Sequence, residues 1–330
     1  MPRHPLRKAL PLLFLLILLA AVCLTLSLMI GSVSIPASDL WSLLWHDDGS
    51  VQYRIIHELR LPRTLSAFGV GGVLALAGVL MQALLRNPLA DPYILGVSGG
   101  AAVAVLGAML LGLPLAWQAP MAFGGALAST LLLFALAHHG NWNTSRLLLT
   151  GVVLAAGWAA LISFVLSLSP PMQLPGMLFW LMGDLSDALH PGLPLVILFI
   201  GLVIALWLSP ALNLALLGSR RAAALGVEIR HLHIMIYVLA SLLTAAAVSI
   251  AGAIGFIGLI APHMLRLLAG SDHRILVPGA VLIGGSLLML ADTAARTMIA
   301  PMQLPVGVLT ALFGVPVFLL LLNKSYGGRS

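Results

Sequence analysis

The chain has 330 residues, 61% hydrophobic and only 8% charged, whereas a water-soluble chain carries roughly a quarter charged residues. Water is therefore excluded as its main solvent. The net charge of +6 reads as basic loops beside a membrane, not as a nucleic-acid footprint.

A helix needs about 20 mostly apolar residues to cross ~30 Å of hydrocarbon, and such stretches follow one another almost end to end. The basic start, with Arg3, Arg7 and Lys8, leads into an apolar run over 11–31. That run is too long for a signal-peptide core, so it reads as the first span. The single cysteine, Cys23, lies within it and excludes an intramolecular disulfide. Residues 32–60 form an external segment in which Trp41, Trp45 and Tyr53 suit an interfacial aromatic belt. Further helices are expected at 61–85, 93–112, 119–137, 145–168, 191–209, 232–253, 257–269, 275–296 and 306–322. The expected fold is thus an all-α membrane protein of about ten transmembrane helices, one transmembrane domain over 1–330 with both termini on the same side.

Charge sets the orientation. With a cytoplasmic tail at 1–10, the inside holds Arg3, Arg7, Lys8, Arg86, Arg146, Arg220, Arg221, Arg230, Arg266, Arg274, Lys324 and Arg329. Only Arg54, Arg60, Arg63 and Arg296 fall outside, which follows the positive-inside rule. Two stretches share a pattern of small-residue helix, Gly/Pro-broken turn and second helix. They are Ala75 to Gly78 running into Asn87-Pro88, and Ser249 to Gly252 running into Ala261-Pro262-His263. Their opposite entry sides make a weak inverted repeat, the arrangement that places a substrate route at the repeat interface.

No phosphate-cradling loop is present. Of the two lysines, Lys8 precedes Ala9, and Lys324, although followed by Ser325, is preceded by Asn323. Any ATP hydrolysis must therefore come from another polypeptide. The cytoplasmic segment 210–231 contains Leu217, Gly218, Ser219, Arg220, Arg221, Ala224, Leu225 and Gly226, an Ala-rich basic stretch bounded by glycines. It reads as short surface helices, serving either as a docking element for an ATPase or as a basic loop on anionic lipid. Asp292 is the one acid deep in an expected span, and Arg296 four positions on offers an i,i+4 ion pair. The segment with Met172, Gln173, Met177, Phe179, Trp180 and Met182 is either core packing or a short helix over the external mouth. Two rivals stand beside a transporter with a separate ATPase. One is an ion-coupled carrier, for which Asp292 is the sole candidate coupling group. The other is an intramembrane serine protease, with Ser98 in the Gly96-Val97-Ser98-Gly99-Gly100 pattern and His263 as base.

Several ordered blocks carry a family resemblance: Arg60-Leu61-Pro62-Arg63-Thr64-Leu65, Gly78 to Leu84, Asn87-Pro88-Leu89-Ala90-Asp91-Pro92, Leu95 to Ser98, Thr144 to Leu149, and Ala251 to Leu259. Pro262-His263, Asp272-His273-Arg274, Ala291-Asp292 with Arg296, and Leu304 to Gly307 complete the set. From about residue 54 to the end, the chain resembles the type II ABC importer permeases for cobalamin, haem and ferric siderophores. The resemblance implies a homodimer of ten-helix subunits in a bacterial inner membrane, two ATPase subunits binding ATP and magnesium beneath it, and one periplasmic substrate-binding protein above. It implies no cofactor and no enzymatic activity in this chain. It implies that 210–231 is the ATPase coupling loop, that Asn87, Leu89 and Thr144 form a cytoplasmic gate, and that Arg60, Arg63 and Arg296 dock the binding protein.

Overall fold

The computed structural model describes residues 5–31, 33–137 and 144–327. Helix α1 (Pro5–Met29) is followed by two short outer helices, α2 (Ala37–Trp45) and α3 (Val51–Arg54). α3 runs through a π-helical stretch at Ile55–Arg60 into α4 (Leu61–Leu85), so Val51–Leu85 is one continuous rod. Then come α5 (Val97–Leu110), α6 (Gln118–Ala137), α7 (Thr144–Leu168), α8 (Leu174–Met182), α9 (Gly192–Ala215) and α10 (Ser219–Ala224). The chain ends with α11 (Ile229–Ala251), α12 (Ile257–Ala269), α13 (His273–Thr297) and α14 (Val306–Gly327). Among the described residues, seven helical stretches are long and apolar enough to cross a membrane. The expected spans at 93–112, 257–269 and 306–322 appear as shorter apolar helices, Val97–Leu110, Ile257–Ala269 and Val306–Leu321.

Two boundaries differ from expectation, each for a local reason. The start of the 93–112 span is a 3-10 turn over Pro92–Leu95, because Gly96 turns left-handed at φ 70° before α5 begins. The helix expected to stop at 209 continues to Ala215 through Pro210; a proline removes only its own bond to residue i−4 and need not end the helix. α12 keeps its expected bounds with Pro262 inside it, and the break before it falls between Gly252 (φ 65°) and Phe256 (φ 69°).

α4 is the axis of the bundle. Its most apolar window is 89% buried, against 6% for α7, so the former is walled by protein and the latter lies open to lipid or a partner. α4 packs on α9, α11, α12 and α13. Lipid tails supply no hydrophobic drive between helices, so close backbone approach must supply dispersion contacts. A Cβ on Gly78 would land on the carbonyl oxygen of Gly258, and Gly71 and Gly284 meet backbone to backbone in the same way. Pro262 lacks the N–H that would have bonded that Gly258 carbonyl within α12. The freed oxygen faces the Gln82 amide of α4 instead, at 3.4 Å.

Candidate functional site

The functional residues gather at the two ends of α4. At its C-terminal end, Arg86 adopts a left-handed conformation (φ 48°) and turns the chain out of the helix. The turn that follows is braced by its own side chains. Asn87 Oδ1 accepts the Leu89 N–H at 3.0 Å, and the Ala90 N–H donates to the Asn87 carbonyl at 3.1 Å. Asp91 Oδ1 accepts from the Tyr93 N–H at 2.7 Å, while the Tyr93 hydroxyl accepts from the Ile254 N–H at 3.2 Å. Pro88 and Pro92 fix φ at both sides. Burial pushes the Asp91 carboxyl up to about 6, with the Tyr93 N–H bond opposing that shift. Asn87 is exposed and Leu89 half-buried on this turn. The Asn87 side-chain oxygen caps its own turn. Thr144 opens α7, but its side chain lies outside the described residues.

Beside this turn sits α10. Gly218 (φ 99°) and Gly226 (φ 85°) bound it, conformations that favour glycine. Ala222 is buried and anchors the helix, and the Val227 N–H donates to the Ala222 carbonyl at 3.0 Å. The outer face is left bare. Leu217 is 52% and Leu225 58% exposed, with Ala224, Arg220, Arg221 and Gly226 exposed around them. The Ser219 hydroxyl accepts from Arg86 Nη2 at 2.6 Å. That bond, absent from the sequence reading, ties α10 to the turn after α4.

The opposite end of α4 holds the three arginines expected to dock a binding protein, and all are turned inward. Arg60 is 4% exposed and donates to the carbonyls of Leu28 (2.7 Å), Met29 (3.2 Å) and Val33. It thereby satisfies carbonyls left open at the end of α1. Arg63, 7% exposed, makes a two-pronged pair with Asp292, Nη2 to Oδ1 at 2.8 Å and Nε to Oδ2 at 3.1 Å. Its Nη1 donates to Gln303 Oε1 at 3.0 Å. Arg296 pairs with Asp292 Oδ2 at 3.0 Å, the i,i+4 pair read from the sequence. It also donates to Ser27 Oγ at 3.0 Å, within a hydroxyl chain linking Ser27, Thr64 and Thr293. These guanidiniums are held by helix-end carbonyls and a shared carboxylate. The sequence reading missed the Arg63–Asp292 pair because its partners stand 229 positions apart.

The remaining singled-out residues separate. Ser98 lies half-buried in α5, while His263 in α12 meets the Phe318 ring edge-on at 6.1 Å, and no described hydrogen bond joins the two. In the Met-rich segment, Met177 is buried while Leu178 and Phe179 are exposed, so α8 packs with one face only, and Met172 ahead of it is exposed. Trp41 and Trp45 stack edge to face at 5.9 Å and are exposed, as a belt requires.

The family model for FecCD transport matches residues 17–324, reaching well before residue 54, where the recognisable blocks begin. The chain belongs to the FecCD transport family. FecCD relatives match it over nearly their whole length. The hemin transport system permease protein of Yersinia pestis is 41% identical, covering 96% of each chain. The Fe(3+) dicitrate transport system permease protein of Escherichia coli is 42% identical, covering 92% of this chain and 95% of its own. The vitamin B12 import system permease protein of Yersinia enterocolitica is 41% identical over 92% and 91%. Among solved structures, a metal-chelate-type ABC transporter in an inward-facing conformation superposes with a TM-score of 0.85 at 34% identity, over 94% of this chain and 98% of that one. As a FecCD protein the chain is a multi-pass membrane permease of the ABC-importer kind. The ion-coupled carrier and the serine protease find no support in these relatives.

Proposed function

We propose that this chain is the permease subunit through which a bulky metal chelate, a ferric siderophore, haem or cobalamin, crosses a bacterial inner membrane into the cytoplasm. Two copies form the pathway, two separate ATPase subunits bind ATP and magnesium, and a soluble periplasmic protein delivers the substrate. Relatives matched over nearly their whole length carry hemin, ferric dicitrate and vitamin B12 in their names. The α10 end faces the cytoplasm on this reading, as the positive-inside rule requires.

The observation that carries the reading is the exposed α10 face joined through Arg86 and Ser219 to the turn bearing Asn87 and Leu89. An apolar patch ringed by arginines is a surface for a protein partner. A push on α10 is delivered directly to the turn that, with Thr144, forms the gate. An open recess of about 740 Å³, lined by Met182, Phe256, Gly307 and Leu312 among others and carrying no charged side chain, supplies half of the route wall. A second copy supplies the other half. The buried arginines at the far end shape the platform on which the binding protein sits.

The test is copurification and uptake. Leu217→Asp with Leu225→Asp removes the apolar patch from exposed positions, so the fold is kept while the ATPase no longer copurifies and chelate uptake falls at least tenfold. Undiminished uptake with these substitutions contradicts the coupling role of α10.

A further inference from the structure

At the turn after α4 lies a partly open cavity of about 290 Å³, lined by the ends of α4, α9, α11, α12 and α13. Its polar lining is Gln82, Arg86, Asn87, His233, Arg266, Ser271 and His273, with no carboxylate. The nearest acid in the sequence, Asp272, is already engaged: its Oδ1 accepts from Asn213 Nδ2 at 2.7 Å and from the Arg274 N–H at 3.0 Å. Two guanidiniums therefore face a cavity with no counter-charge. Arg86 spends Nη2 on Ser219, whereas Arg266 Nη1 is buried without a hydrogen-bond partner. Gln82, 3% exposed, likewise has its Oε1 buried and unbonded. A buried donor of this kind costs free energy unless it finds an acceptor, and a charged acceptor fits a guanidinium best.

We propose that this cavity binds a phosphate ester that also carries a hydroxyl group. The phosphate pairs with Arg266 beside Arg86, and the hydroxyl donates to Gln82 Oε1. The volume equals about ten waters at ~30 Å³ each, room for a glycerol-phosphate group. An anionic lipid headgroup and a soluble glycerol phosphate share this chemistry. Because Arg86 also holds Ser219, an occupant bears on the link between α10 and the gate turn.

The full-length chain, purified in detergent and stripped of lipid, is titrated with dihexanoyl phosphatidylglycerol and dihexanoyl phosphatidylcholine by native mass spectrometry, and with sn-glycerol 3-phosphate by calorimetry. Binding of the glycerol lipid, weakened at least tenfold by Arg266→Gln and several-fold by Gln82→Met, is expected. Binding of the lipid alone makes a headgroup the source; binding of glycerol phosphate makes it a soluble anion. Absence of binding by both, or equal affinity for the phosphatidylcholine, overturns the proposal. So does unchanged affinity in a folded Arg266→Gln chain. Should that variant fail to fold, unchanged affinity in both Arg266→Lys and Gln82→Met overturns it equally.

Discussion

Asp292 has no exposed surface, yet it neutralises two guanidiniums drawn from different helices, Arg63 of α4 and Arg296 of its own. Breaking a buried pair leaves an uncompensated charge and costs about 3–5 kcal/mol. Asp292→Asn is therefore expected to lower the thermal midpoint of the detergent-purified protein by several degrees, and pairing it with Arg63→Met to recover part of the loss. Equal midpoints for Asp292→Asn and the parent chain would show that the pair carries no net stability. The same burial predicts that Arg60→Glu with Arg63→Glu lowers the amount of folded protein as well as uptake, because the new carboxylates meet carbonyls and Asp292 instead of cations. At the other end, Asp91 carries a folded-state value of about 6, above the ordinary 3.8. The folded form thus favours the protonated acid, so this residue's contribution falls as pH rises from about 4 to about 6 and is flat above. Asp91→Asn should remove that slope from a midpoint-against-pH curve while leaving the Asn87 turn in place.

At the scale of elements, α4 and α12 are locked by Gly78, the Gly258 carbonyl that Pro262 leaves free, and the Gln82 amide. Gly78→Val places carbon where that oxygen sits, and the helices must separate. Loss of folded protein in detergent is the expected result, and a normal yield with normal uptake would contradict the packing. The helices themselves were legible from hydropathy because spans of about twenty apolar residues have few alternatives. Their ends were less so, since Pro210 looks like a breaker but sits inside α9. The surface helix at 219–224 was legible from its bounding glycines and arginines. Its tether to Arg86 was not, because Arg86 and Ser219 are 133 positions apart and meet only once α4, α9 and α11 are bundled.

Across the whole molecule, family and architecture were written in ordered blocks spread along the chain, and the matched range of 17–324 extends them almost to both ends. The orientation of the three arginines was not so written. Charge counts place a residue at an end of the bundle but do not say whether its side chain turns to water or to a neighbouring helix. The recess beside α14 carries no charged side chain that would single out one substrate. The central claim is that a signal at α10 opens a path for a chelate. Its most direct test is ATP-dependent uptake into vesicles holding this chain with its ATPase and binding protein, offered cobalamin, haem and ferric siderophores in turn. Accumulation of one of them that requires both a hydrolysis-competent ATPase and the apolar α10 face is the predicted result. Uptake that survives an ATPase unable to hydrolyse ATP, or no uptake of any chelate by an assembled complex, would contradict it.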